Sequence, residues 1–230
     1  MIRPSRGATL RVADWAREFE PEIISGSVYA VHPSQRLEAA RALSHGGHRV
    51  HADIIISASG EHTGVGPEEV LLIRMAVPDA RLDVHLILPK TNLTEGVRRS
   101  AEAAIQTAKN VQAETLAVSP HALQIFSHIL SDRHDHRMEI WTEVAVGSDT
   151  TSIDDVDGAL VMLIESGTRD SADRTQLCKI PTFSGAGRVG IDGGVTPAVA
   201  AEARRAGVSV IVSGRALFEQ IRERKATHVD

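Results

Sequence analysis

The sequence predicts a (β/α)8 barrel, and three observations carry that expectation. Short apolar runs of strand type alternate with stretches of helical periodicity about eight times, the pattern of parallel strands with helices outside. The chain has 230 residues, which suits one barrel-sized domain better than two. No Gly-x-Gly-x-x-Gly follows the first strand, so the usual fingerprint of an open dinucleotide-binding sheet is missing.

The elements follow in order. Residues 1–21 are mixed and polar, and Val12, Trp15 and Phe19 can share one face of a short leader helix packed on the main domain of residues 22–230. Glu22–Tyr29 reads as the first strand, followed by a helix over Ser34–Ser44 that ends at Gly46-Gly47. Arg49–Ile56 is the second strand and Glu68–Met75 its helix; Arg81–Leu88 is the third and Glu95–Asn110 its helix. Thr115–Val118, Glu139–Val146 and Ala159–Ile164 make strands four to six, with a helix over His121–Leu130. The seventh strand holds Val189–Asp192 and leads through Gly193-Gly194 to a helix that Thr196-Pro197 opens. Val208–Val212 is the eighth strand, and Ser213-Gly214 leads to a last helical segment.

Composition narrows the function classes. Hydrophobic residues make up 42% and charged residues 24%, as in an ordinary globular protein. The net charge is −5 with no basic run, and aromatics are only 3%, so nucleic acid and anionic membranes are not expected partners. The single Cys178 rules out an internal disulfide and reads as a small packing residue, which suits a reducing cytoplasm. No stretch resembles a signal peptide or a membrane helix.

Strand parity locates candidate chemistry. Val50, Ala52, Ile54 and Ile56 share the face that packs on helices, so His51 and Asp53 point inward. On the third strand Leu82, Val84, Leu86 and Leu88 face out, leaving Asp83 and His85 inward; the seventh turns Asp192 inward and the first Ser25 and Ser27. A hydrogen-bonded buried pair would account for any one His–Asp combination. Two imidazoles and two carboxylates from three strands instead form a mixed N/O set for one divalent ion: Zn²⁺, Fe²⁺, Mn²⁺ or Co²⁺. The turns at Gly193-Gly194 and Ser213-Gly214-Arg215 offer backbone N–H groups and helix starts to an anion, and the last two turns of such a barrel are a usual phosphate site. An ordinary βαβ unit with tight turns is the alternative.

The blocks Ser25-Gly-Ser27, His51-Ala-Asp53, Asp83-Val-His85-Leu, Asp192-Gly-Gly194 and Ser213-Gly214, with Gly66-Pro67 between, resemble the ribulose-phosphate 3-epimerase family in order and spacing over about residues 22–220. The resemblance implies a divalent metal held by His51, Asp53, His85 and Asp192, with Asp53 and Asp192 as the acid/base pair. It places Ser27, His85, Gly193, Gly194, Ser213 and Gly214 around a phosphorylated sugar, and suggests a homo-oligomer. Arg215 stands where the family usually has Ser, and reads either as a guanidinium added to the phosphate site or as a solvent-facing residue at a helix start. The implied reaction inverts C3 of a ketose phosphate through an enediolate.

Two loops depart from the family pattern. After the second strand, Ile55-Ile-Ser-Ala-Ser-Gly-Glu-His62 replaces a Met-Asp-Gly-His-Phe-Val-Pro-Asn type loop. After the sixth, Glu165-Ser-Gly-Thr-Arg-Asp170 replaces Pro-Gly-Phe-Gly-Gly, so a phosphate cradle is lost and an acid gained, which Arg169 would offset. Both changes fall where specificity resides on this fold. His62 and the His134/His136 pair read as solvated loop residues. A non-catalytic sugar-phosphate-binding relative and a phosphate-binding barrel of another reaction class remain as alternatives. The inward faces of strands two, three and seven carry no lysine for an aldolase.

Overall fold

The computed structural model describes residues 8–90, 93–131, 138–148, 156–168, 170–183 and 187–222. In chain order these form β1 (Ala8–Val12), β2 (Ile24–Ser27), α1 (Arg36–His45), β3 (Arg49–Ile55), α2 (Pro67–Ala76), β4 (Arg81–Ile87), α3 (Glu95–Asn110), β5 (Thr115–Val118), α4 (Pro120–Ile125), α5 (Ser127–Leu130), β6 (Glu139–Val144), β7 (Gly158–Met162), α6 (Ile180–Phe183), β8 (Arg188–Asp192), α7 (Pro197–Ala206), β9 (Val210–Ser213) and β10 (Phe218–Arg222). Strands β2 to β9 close in sequence order into an all-parallel eight-stranded barrel, with β9 pairing back onto β2. The expected (β/α)8 fold is the observed one.

The two ends of the chain differ from expectation. Residues 8–12 form a strand, β1, and among the described residues before β2 the helical stretches are two short 3-10 turns, Asp14–Glu18 and Pro21–Ile23. No helix follows β9 among the described residues; β10 takes that place and pairs antiparallel with β1, Thr9 opposite Ile221 and Val12 opposite Phe218. Leu10 is buried and its N–H donates to Glu38 on α1 at 2.8 Å, which docks the ribbon on the barrel. Trp15 stacks edge-on against Phe19, and its indole N–H donates to the carbonyl of Ala216 at 2.8 Å. The leader segment therefore braces the turn that leaves β9. Cys178, expected as a packing residue, is exposed on a 3-10 stretch, Arg174–Lys179.

Alternation along each strand divides the core in two. Val50, Ala52 and Ile54 of β3 and Leu82, Val84 and Leu86 of β4 join the large apolar layer beneath the helices. Inside the barrel a second, smaller apolar cluster gathers Ala117, Trp141, Leu160, Met162, Val210 and Val212. Trp141 fills this half because Gly158 and Gly190 flank it. A Cβ at either position would approach the indole within 2.7–2.8 Å. Emptying that volume by Trp141→Ala should cost about 3–5 kcal/mol. The other half of the interior, bounded by β2, β3 and β4, is polar.

Candidate active site

That polar half is stacked in two levels. The lower level is built around Arg49, which has no exposed surface. Its Nε donates to Asp83 Oδ2 at 2.7 Å and its Nη2 to Asp83 Oδ1 at 2.5 Å, while Nη1 lies 2.7 Å from Glu114 Oε2. Ser25 and Thr115 hydroxyls donate to the same carboxylate at 2.7 and 2.8 Å. Burial favours protonated Asp83, but the guanidinium outweighs it and holds the carboxyl below its ordinary range. Asp83 is thus inward, as parity required, yet it belongs to a structural ion pair.

The upper level begins two residues further along β3 and β4, with His51 and His85, and adds Asp53 of β3 and Asp192 at the C-terminal end of β8. In the barrel register Asp53 on β3 stands beside His85 on β4. One donor atom from each of His51, Asp53, His85 and Asp192 lies within 4.8 Å of the others. His51 Nε2 is 3.2 Å from Asp53 Oδ1 and 3.8 Å from Asp192 Oδ2; His85 Nδ1 is 3.6 and 3.5 Å from the same two oxygens. Asp53 Oδ2 accepts from Ser27 Oγ at 2.6 Å. Burial raises Asp53, but the neighbouring imidazoles outweigh it and hold the carboxyl well below its ordinary range. Burial likewise disfavours imidazolium at His51 and His85, yet the surrounding carboxylates prevail and raise both above the ordinary imidazole value.

These residues fit a divalent ion. Both ring nitrogens of His51 and Nδ1 of His85 are buried with no hydrogen-bond partner, which folded proteins rarely tolerate. A tetrahedron with metal–ligand bonds of about 2.0–2.1 Å has edges of about 3.4 Å, and the four close N–O separations straddle that length. Two imidazoles with two carboxylates are borderline donors suited to Zn²⁺, Fe²⁺, Mn²⁺ or Co²⁺.

Asp53 and Asp192 also line the floor of a cavity of about 410 Å³ that opens above the cluster, a size usual for small-molecule sites. Ser27, Gly193, Gly194, Gly214 and Arg215 line it too, as does Thr196, the N-cap of α7. Two expected substrate residues do not. His85 is wholly buried beneath the floor, where its geometry serves the cluster, and the Ser213 hydroxyl donates to the Val195 carbonyl at 3.0 Å. Gly193 and Gly194 adopt positive φ, +105° and +63°. A Cβ there would strike Ile164 at 2.4 Å and Ala172 N at 2.6 Å, so close passage of the segment after β7 accounts for both glycines.

The altered loops and spare histidines are placed as follows. Glu165 is exposed and ion-paired with Lys90, while Thr168 lines the cavity. His62 is exposed in the loop after β3. Arg169, His134 and His136 lie outside the described residues.

Sequence reasoning missed Glu143. This buried carboxylate pairs Oε2 with His85 Nε2 at 3.1 Å and accepts from Ser166 Oγ on Oε1 at 2.6 Å. Parity carried to β6 would have found it, since Glu139, Trp141 and Glu143 share the inward face. Tyr29, Thr168 and Met162 on the cavity wall carried no local signal.

Among the described residues no helix is long and apolar enough to cross a membrane. The fold is shared widely at low identity. Phosphoribosyl anthranilate isomerase from Thermus thermophilus aligns at 13% identity and TM-score 0.56, covering 84% of this chain and 87% of that one. A mutant tryptophan synthase α-subunit from Pyrococcus furiosus aligns at 12% and 0.61, covering 86% and 88%. Thiamine phosphate pyrophosphorylase from Pyrococcus furiosus aligns at 16% and 0.51, covering 84% and 85%. A comparison with curated protein sequences gives no significant match. Residues 23–218 match the model of the ribulose-phosphate 3 epimerase family, a span holding the whole cluster and nearly all of the barrel, and the chain belongs to that family.

Proposed function

We propose that the protein is a metal-dependent epimerase that inverts C3 of a ketose phosphate, with a substrate preference shaped by its altered loops. The observation that carries this reading is the meeting of Asp53 and Asp192, which line the cavity floor, with two unpartnered imidazole nitrogens buried beneath it. Epimerisation needs one group to remove the C3 proton and a second to return one to the opposite face. Asp53, kept ionised by His51 and held by Ser27, takes the proton in one direction. Asp192 comes from β8, across the barrel from β3, and delivers a proton to the other face; the reverse reaction exchanges the roles. A divalent ion held by the four side chains supplies positive charge that offsets the negative charge developing on the sugar oxygens.

The sugar backbone lies against Ser27, Ile55, Ile87 and Met162. The phosphate rests where the cavity reaches the start of α7 and the Gly214–Ala216 turn, and Arg215 adds a guanidinium there. Ile55 and Thr168, one from each altered loop, line the cavity. The test is metal analysis of the purified protein followed by deuterium exchange at C3 of a panel of ketose phosphates. Stoichiometric divalent metal with exchange into one of them is the expected result. Metal-free protein, or metallated protein that exchanges none, overturns the reading.

A further inference from the structure

We propose that Glu143 is a positioning residue for the metal site: it holds the Nε2 edge of His85, thereby turns Nδ1 toward Asp53 and Asp192, and through Ser166 ties the cavity loop to that imidazole. The inference rests on the metal-binding part of the reading above and not on the reaction.

Glu143 reaches His85 across a strand. β5 separates β4 from β6, and at the level of His85 it presents only Ala117, the register partner of both His85 and Trp141. A methyl group at that position leaves the carboxylate an open path to the imidazole. Glu143 Oε2 lies 3.1 Å from His85 Nε2, and the other edge of the ring carries Nδ1, 3.5–3.6 Å from the two aspartates. A carboxylate only accepts, so this contact places the ring hydrogen on Nε2 and leaves the Nδ1 lone pair facing the cluster. The opposite tautomer would set a lone pair against Glu143 and an N–H where a cation must sit.

The second arm runs to the cavity wall. Ser166 Oγ donates to Glu143 Oε1 at 2.6 Å, and the next two residues, Gly167 and Thr168, line the cavity. Glu143 itself is buried and is not among the lining residues, so it acts through its two neighbours and touches no substrate. A carboxylate behind a ligating histidine both orients the ring and raises its basicity, and losing such a partner weakens metal affinity about 10–100-fold.

The test is zinc affinity, measured by competition with a chromophoric chelator in the absence of any sugar phosphate, on wild type, Glu143→Ala, Glu143→Gln and Ser166→Ala. Glu143→Ala should weaken binding about 10–100-fold. Glu143→Gln, whose amide oxygen still accepts from Nε2, should recover most of that loss. Ser166→Ala, which cuts only the loop arm, should bind zinc like wild type. In zinc-loaded protein, ¹⁵N-resolved imidazole spectra should show His85 as the Nε2–H tautomer in wild type and Glu143→Gln, and lose that signature in Glu143→Ala. Wild-type affinity in a folded Glu143→Ala overturns the inference, as does equal weakening by Gln and Ala with an unchanged His85 tautomer. A wild-type protein that binds no divalent ion overturns this inference and the epimerase reading together. Zinc binding that depends on Glu143 in a protein that exchanges no C3 proton upholds the inference and overturns the reaction alone.

Discussion

Two buried charge clusters sit one above the other in this barrel, and they solve the same desolvation problem differently. The lower one surrounds its carboxylate with a bidentate guanidinium and two hydroxyls, so Asp83 is matched from within the chain. The upper one brings two carboxylates to two imidazoles whose facing nitrogens make no hydrogen bond. Arg49 and His51, like Asp83 and His85, are two residues apart on the same strands, so the period of the strand sends both kinds of group inward. The lesson is that inward polarity alone does not mark a site. What marks it is an arrangement left incomplete by the protein's own groups, at the end of the barrel where the strands finish.

Substitutions that break one level and spare the other test that contrast. Asp192→Asn should lower C3 exchange about 10²–10⁴-fold, while the melting temperature of the metal-free protein changes little; a variant that keeps wild-type exchange removes Asp192 from the chemistry. Arg49→Met should do the reverse. It strands Asp83 in the core, which costs about 3–5 kcal/mol in a urea titration. A stability near wild type would show that the lower pair is not structural.

Next in size is the response to metal. Zinc or cobalt at about 100 times its dissociation constant should add about 2.7 kcal/mol of stability. That gain should vanish in His51→Asn and survive in Ser25→Ala, with thermal melts as the measurement. The smallest effect is in pH. Asp83 has a folded pKa below its unfolded value, so its stabilisation is present above the ordinary carboxylate range and is lost as pH falls through the lowered value. His51 and His85 are raised, so in metal-free protein their stabilisation is present below the ordinary imidazole range and fades as pH rises through the raised values. Metal must displace those protons, so the melting-temperature gap between metallated and metal-free protein should widen from about pH 6 to about pH 8. A gap that narrows would reverse the assignment.

Much of the site was readable along the chain because a strand's alternation is local. His51, Asp53 and His85 each sit between apolar residues whose outward packing forces them in, and Asp192 follows the outward Ile191. The same rule, not carried to β6, left Glu143 unseen. The ribbon of β1 and β10 was not readable by any local rule. Each strand is five residues long, and each finds its partner some two hundred positions away, as Leu10 does opposite Gln220. With no neighbouring strand in the sequence to pair with, residues 12–19 and those after Gly214 read as helix.

What the sequence by itself determined is the barrel and the inward set on β2, β3, β4 and β8, because periodicity and burial act over a few residues. The tertiary structure decided which inward groups pair with each other. Register set His85 beside Asp53, the Arg49 side chain reached Asp83 on the neighbouring strand, closure of the barrel brought β8 across to β3, and Ala117 let Glu143 reach His85. It also showed that Gly193 and Gly194 make way for the segment after β7 as well as lining the cavity. Those outcomes depend on distances between strands far apart in the chain, which no local pattern specifies.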